Sequence, residues 1–152
     1  MLPEFLQDTP MTTTFNKLSA DHTQIAISFG KDKPQAWDKS DFSRYLKEKE
    51  GGRIWGAYQN GELVGGMAYV LEEHGYKVDW MSYKNGGVMD DLFNRIMDQA
   101  KISSVRKKVT FRVPDGDDGL TKFFLDKGIS LKRGSVDSAG IINSWEFTVR
   151  VD

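Results

Sequence analysis

Lys84-Asn85-Gly86-Gly87 stands directly before an apolar stripe that starts at Val88. A helix beginning there offers unpaired backbone N–H groups and roughly half a positive charge at its N-terminus. Two glycines let an oxyanion approach the backbone, and Lys84 adds a point charge, so the segment has the makings of an anion site. Just upstream runs Tyr76-Lys77-Val78-Asp79-Trp80-Met81-Ser82, a strand-forming stretch with a carboxylate in its middle. Asp79 is the candidate general base, and Tyr83 is a second candidate catalytic residue, as proton donor. Glu72, Glu73 and His74 form a polar turn whose simplest role is to face solvent.

The flanking pattern says what must hold these residues. Alternation puts Tyr76, Val78 and Trp80 on one face of a strand and Lys77, Asp79 and Met81 on the other. Val88, Leu92, Ile96 and Ala100 then recur at helical spacing, with Phe93 and Met97 widening the stripe. Upstream, Thr12–Lys17 reads as a strand. Ser19 caps a helix over Ala20–Phe29, and Gly30 ends it. After a polar loop containing Pro34, Ser40 caps a second helix, Asp41–Glu50, with Phe42, Tyr45, Leu46 and Lys49 on one face. Ile54–Gln59 and Leu63–Val70 form a hairpin around Asn60-Gly61. Trp55 and Tyr58 on that hairpin are candidates to shape an acceptor pocket. Downstream, Lys108–Val113 is a strand ended by Pro114. A short helix capped by Asp117 or Asp118 runs through Lys127 with Gly128 as its C′ residue. Ile129–Lys132 and Trp145–Val151 are the last strands. The order is β-α-α-β-β-β-α-β-α-β-β, with an antiparallel hairpin early and strand-helix-strand units late.

Bulk properties narrow the function. The 152 residues suit one domain. Residues 1–11 read as a poorly ordered extension rather than a signal peptide, with Met11 as a second possible start, and 12–152 as the single domain. Basic and acidic residues number 21 and 22, giving a net charge of −1. That supplies no general attraction to nucleic acid or to an anionic membrane, so neither is expected as a partner. No stretch is apolar enough to span a bilayer. Cysteine is absent and His22 and His74 are the only histidines. Thiolate chemistry and cysteine or histidine-rich metal sites are thereby excluded, no metal is expected, and a reducing, cytoplasmic location fits.

With Lys84-Asn85-Gly86-Gly87-Val88-Met89 at the head of one helix and Phe123-Phe124-Leu125-Asp126-Lys127-Gly128-Ile129 at the end of another, the chain resembles the GNAT family of N-acetyltransferases over residues 12–151. The first segment is similar to the family's pyrophosphate loop, Gln/Arg-x-x-Gly-x-Gly/Ala, and the second to its Phe/Leu-Tyr-x-x-x-Gly-Phe. The resemblance implies an α+β fold: a mixed, mostly antiparallel central sheet of about six or seven strands flanked by about four helices. It also implies transfer of an acetyl group from acetyl-CoA, or of another acyl group from its acyl-CoA, to a primary amine of a small molecule or protein. The cofactor would lie between the strands at 76–82 and 108–113. Backbone of Asn85, Gly86, Gly87, Val88 and Met89, with Lys84, would hold the pyrophosphate. Met81, Ser82 and Tyr83 would line the pantetheine, and Phe124 would sit beside it. Arg106, Lys107 and Lys108 are candidates for the adenosine 3′-phosphate.

Four positions depart from the family pattern. Lys84 keeps charge without the planar fork of arginine. Met89 stands where a small residue belongs and crowds a phosphate unless it points aside. Asp90 and Asp91 repel one. Phe124 replaces the tyrosine that serves relatives as general acid. Two functions therefore stay open: an acetyltransferase, or a non-catalytic binding protein on the same fold with a degraded CoA groove. The exposed final strand offers an edge for a homodimer.

Overall fold

Asn60 and Gly61 both take positive φ, 52° and 78°, the requirement of a two-residue type I′ turn. They join β2 (Gly52–Gln59) to β3 (Glu62–Leu71) in antiparallel register, Gln59 opposite Glu62. This hairpin is the start of a seven-stranded sheet in a computed structural model that describes residues 12–30, 37–129, 131–136 and 138–151. The extension expected at 1–11 and the loop around Pro34 lie outside the described residues. The other strands are β1 (Thr14–Lys17), β4 (Gly75–Tyr83), β5 (Lys108–Pro114), β6 (Leu131–Val136) and β7 (Ile142–Arg150). Their spatial order is β1-β2-β3-β4-β5-β7-β6, and only β4 and β5 run parallel. The final strand is therefore not an edge: β7 is flanked by β5 and β6, and the free edges belong to β1 and β6.

Four α-helices cover the sheet. α1 (Thr23–Gly30) and α2 (Lys39–Leu46) pack on one face, where Leu18, Ala26, Phe42, Tyr45, Ile54 and Trp80 form a buried cluster. α3 (Gly86–Ile102) and α4 (Asp118–Asp126) pack on the other, against Val78, Val109, Phe111 and Phe147. The stripe of α3 is the one its sequence spells, with Val88, Met89, Leu92, Ile96, Met97 and Ala100 all buried. α2 starts two residues earlier than expected and ends at Leu46 rather than Glu50. Asp38, not Ser40, caps it, and Asp41 returns the bond to the Asp38 backbone at 2.8 Å.

The register of β4 differs from simple alternation. Tyr69 pairs with Val78 and Ala68 with Trp80, so Asp79 has no partner on β3. That extra residue is a β-bulge, and it reverses the facing of everything after it. Tyr76 and Val78 pack under α3, whereas Trp80 packs with α1 and α2. The expectation that Tyr76, Val78 and Trp80 share a face is thus corrected. On its other side β4 pairs with β5 only from Gly75–Lys108 to Val78–Phe111. Beyond that point the two strands diverge, although β4 continues to Tyr83 and β5 to Pro114.

The first paired rung, Gly75 opposite Lys108, is tight. A Cβ placed on Gly75 would lie 2.2 Å from the Lys108 carbonyl oxygen. Gly75→Ala should therefore cost about 1–3 kcal/mol as an overpacked contact and lower Tm by about 3–10 °C for a chain of this size. A melt within about 1 °C of the parent would mean that the strands separate there without cost.

Candidate active site

Asp79 lies where β4 and β5 part. Its Oδ2 accepts a 2.6 Å hydrogen bond from the Tyr45 hydroxyl of α2. Tyr45 is buried, with 6% of its surface exposed. Burial, then the hydrogen bond and the charge of Asp79, push its phenol well above the ordinary value of 10.0. Tyr45 thus stays a proton donor to the carboxylate and leaves the other carboxylate oxygen for a third group.

Two open cavities meet at this residue. One, a narrow slot with an internal volume of about 20 Å³, lies in the splay and is lined by Asp79 to Ser82, Arg112, Pro114, Asp117 and Leu120. The second, of about 230 Å³, lies on the α2 side and is lined by Asp41, Arg44, Tyr45, Lys77 and Asp79. Trp37, Asp79 and Arg112 belong to both. Trp37 is half-buried and stacks on Trp80 and Tyr45, at 5.6 and 5.1 Å between ring centroids.

Ser82 gives the first cavity an unusual wall. It is 3% exposed, yet its Oγ has no hydrogen-bond partner. A buried hydroxyl left unpaired costs about 1–3 kcal/mol, so it is a place where a ligand's polar group would be welcome. Among the described residues, the backbone of β4 from Asp79 to Ser82 likewise makes no pairing with β5. Met81 lines the same cavity and packs against the α3-face core. Tyr83 reaches from the end of β4 to the start of α4, its hydroxyl 3.1 Å from where a Cβ on Gly119 would stand.

The glycine turn is exposed and lies beyond both cavities. Nothing comes within 4 Å of a Cβ built on Gly86. Asn85 caps α3: its side-chain oxygen accepts from the Val88 N–H at 3.3 Å, and its carbonyl from Val88 and Met89 at 3.1 and 3.4 Å. Lys84 is exposed and pairs with Glu62 at 3.4 Å.

The departures resolve by direction. Met89 is 8% exposed and packs into the core, away from the turn. Asp90 is held by Lys127 of the α4 C-cap at 2.9 Å, and Asp91 accepts from Thr13 at 2.6 Å. Met89 thus points aside, and Asp90 and Asp91 each have a partner within the protein. Phe124 is 1% exposed, stacked on Phe147 at 5.3 Å, and lines neither cavity. Arg106, Lys107 and Lys108 follow the far end of α3, about 25 Å from Gly86 by helical rise. They are too distant to share a nucleotide's phosphates with that turn. Trp55 faces the α3 side and Tyr58 the α1 side, where it bonds His22 at 3.0 Å, so neither shapes the cavities.

Sequence reasoning found Asp79 but missed Tyr45 and Arg112. Tyr45 gave only the signal of a helix stripe. Arg112, a cation inside an otherwise apolar strand, was the readable clue.

With a seven-stranded sheet that opens between β4 and β5 and helices on both faces, the chain has the GNAT fold. It superposes on an N-acetyltransferase from Staphylococcus aureus Mu50 with a TM-score of 0.73 at 12% identity, covering 91% of this chain and 97% of that one. The ribosomal-protein-S18-alanine N-acetyltransferase of Escherichia coli gives 0.70 at 11% identity, covering 91% and 94%. Arabidopsis thaliana Naa50, in complex with the bisubstrate analogue CoA-Ac-MVNAL, gives 0.67 at 12%, covering 91% and 99%. No family model and no curated protein sequence matches the chain. Identity this low establishes the fold and leaves the activity to the site.

Tyr45→Phe should cost about 1.5–3 kcal/mol at neutral pH, the range for a hydrogen bond to a charged group. Because the phenol's value is raised on folding, its stabilisation is complete below about pH 10 and fades as pH rises through the raised value. Urea midpoints between about pH 8 and about pH 11 should fall more steeply for the parent than for the variant. Parallel curves would show a phenol that titrates freely.

Proposed function

We propose that this protein transfers an acetyl group from acetyl-CoA to a primary amine of a small molecule or protein. The observation that carries this is the parting of β4 from β5 beyond Val78, with Asp79 standing between two cavities. The fold neighbours named above are acetyltransferases, and one holds a CoA-based bisubstrate analogue.

The residues suit the cofactor on two counts. Among the described residues Ser82 Oγ is buried without a partner and β4 makes no pairing with β5 from Asp79 to Ser82, which fits the amides of a pantetheine arm running along Met81, Ser82 and Tyr83. Gly86 and Gly87 are open to solvent at the head of a long helix, which fits the pyrophosphate. There the N–H groups of residues 85–89 would be the donors, with Lys84 adding charge. The Val88 and Met89 N–H groups already bond the Asn85 carbonyl, so those of Gly86 and Gly87 would carry most of the contact. Phe124 supports the groove from within the core.

When bound, the acyl-CoA supplies an activated thioester. Asp79 binds the incoming ammonium, which loses one proton to water to give the attacking amine, and Asp79 then accepts the second proton from the nitrogen, which becomes far more acidic once bonded to the acyl carbon. Tyr45 fixes the carboxylate's orientation through its hydrogen bond. Tyr83, at the mouth of the splay, is the proton donor proposed for the leaving sulfur. The absence of cysteine and of any described helix able to cross a membrane supports a cytoplasmic location. A homodimer would pair through β1 or β6.

Phe124 in the core, in place of a tyrosine, is the observation that favours the non-catalytic alternative. Two measurements separate the readings. CoA at about 100 times its Kd should stabilise the protein by about 2.7 kcal/mol, raising Tm by several degrees. Asp79→Asn should then lower kcat by about 100-fold or more while CoA affinity moves by less than about 3-fold. No shift at millimolar CoA would remove the groove from the account. A shift without thiol release across an amine panel would establish the binding protein instead.

A further inference from the structure

Arg112 is the cation of the paired cavities that no carboxylate claims among the described residues. Arg44 is bound to Glu50 at 2.7 Å, and Lys77 lies 3.8 Å from Glu146. Arg112 instead donates from Nε to Ser144 Oγ at 3.2 Å. Ser144 is fully buried on β7, and its own hydroxyl hydrogen bonds to Asn143 Oδ1 at 3.4 Å. Nε is anchored to a buried strand, and the two terminal nitrogens make no hydrogen bond among the described residues, while Arg112 lines both cavities. Val109, Phe111 and Val113 of the same strand point into the α3-face core, so Arg112 emerges on the α2 face with Asp79.

This places a planar cation with no described ion pair on the same cavity walls as a carboxylate whose described hydrogen bond engages one oxygen. A ligand complementary to the pair carries both charges: an ammonium for Asp79 and an anion for Arg112. We infer that the acceptor is an amino acid, its amine held at Asp79 and its carboxylate held by the Arg112 fork. The inference rests on the acetyltransferase proposal and deepens it. A carboxylate matches the two parallel N–H donors of a guanidinium in one plane, which is why it is preferred here to a phosphate. A peptide's N-terminal residue lacks that carboxylate, so free amino acids are favoured over protein N-termini.

The test is thiol release from acetyl-CoA with the standard amino acids, each paired with the amine that lacks its carboxylate, and with O-phosphoethanolamine. At least one amino acid should exceed its matching amine in kcat/KM by about 30-fold, the scale of a charge-assisted hydrogen bond pair. Arg112→Gln should collapse that ratio to about 3-fold or less, and Arg112→Lys should leave an intermediate value. Equal rates for acid and amine, preference for the phosphorylated amine, or a ratio unmoved in Arg112→Gln would each overturn the inference. If no acceptor releases thiol, calorimetric titration of the protein with the same amino acids decides. Binding that Arg112→Gln abolishes would keep the amino-acid site while the transferase proposal fails. No binding would end the inference by itself.

Discussion

Between Tyr69 and Ala68 of β3, the facing strand β4 spends one residue more than its partner, and that residue is Asp79. Backbone polar groups in a sheet need partners, and an inserted residue interrupts the ladder that supplies them. Here the interruption coincides with the end of pairing to β5, one residue earlier at Val78. The strand therefore loses its ladder on one side just where it is kinked on the other. Unpaired amides, a wedge-shaped opening and a carboxylate at its apex arise together from a single extra residue.

The cost of that opening is met by what surrounds it. Gly75 and Lys108 sit in very close contact at the closed end, and β5 keeps its full antiparallel pairing with β7. On the α3 face, Phe93, Phe111, Phe123, Phe124 and Phe147 form a continuous aromatic layer. On the α2 face, Trp37, Phe42, Tyr45 and Trp80 do the same. The site is thus a local loss of hydrogen bonding held between two well-packed layers. The phenylalanine at position 124 belongs to that support, which explains why it needs no hydroxyl.

Local patterns carried most of the architecture in the sequence. The Asn60-Gly61 turn, the stripe of α3 and a cap at Asp117 or Asp118 are legible because each is decided by neighbours a few residues apart, and the structure selects Asp117. The bulge was not. Alternation carries no mark for an inserted residue, so Trp80 was assigned to the wrong face, and only the charge of Asp79 within a strand hinted at a break. Tyr45 and Asp79 are 34 positions apart, and no local spacing announces such a pair. Met89 and the Asp90-Asp91 pair misled for a related reason. Their types were read without their directions, and directions come from the core that Met89 joins and the partners Lys127 and Thr13 provide.

Trp37 and Trp80 add a property with no bearing on chemistry. Their indoles stack at 5.6 Å and 21° between planes, and Trp37 walls both chambers. Indoles held this close share their excited state, which gives a split signal in near-ultraviolet circular dichroism. An occupant that displaces Trp37 breaks the coupling. The molecule thereby carries its own optical gauge of whether the opening is filled, readable with no label attached.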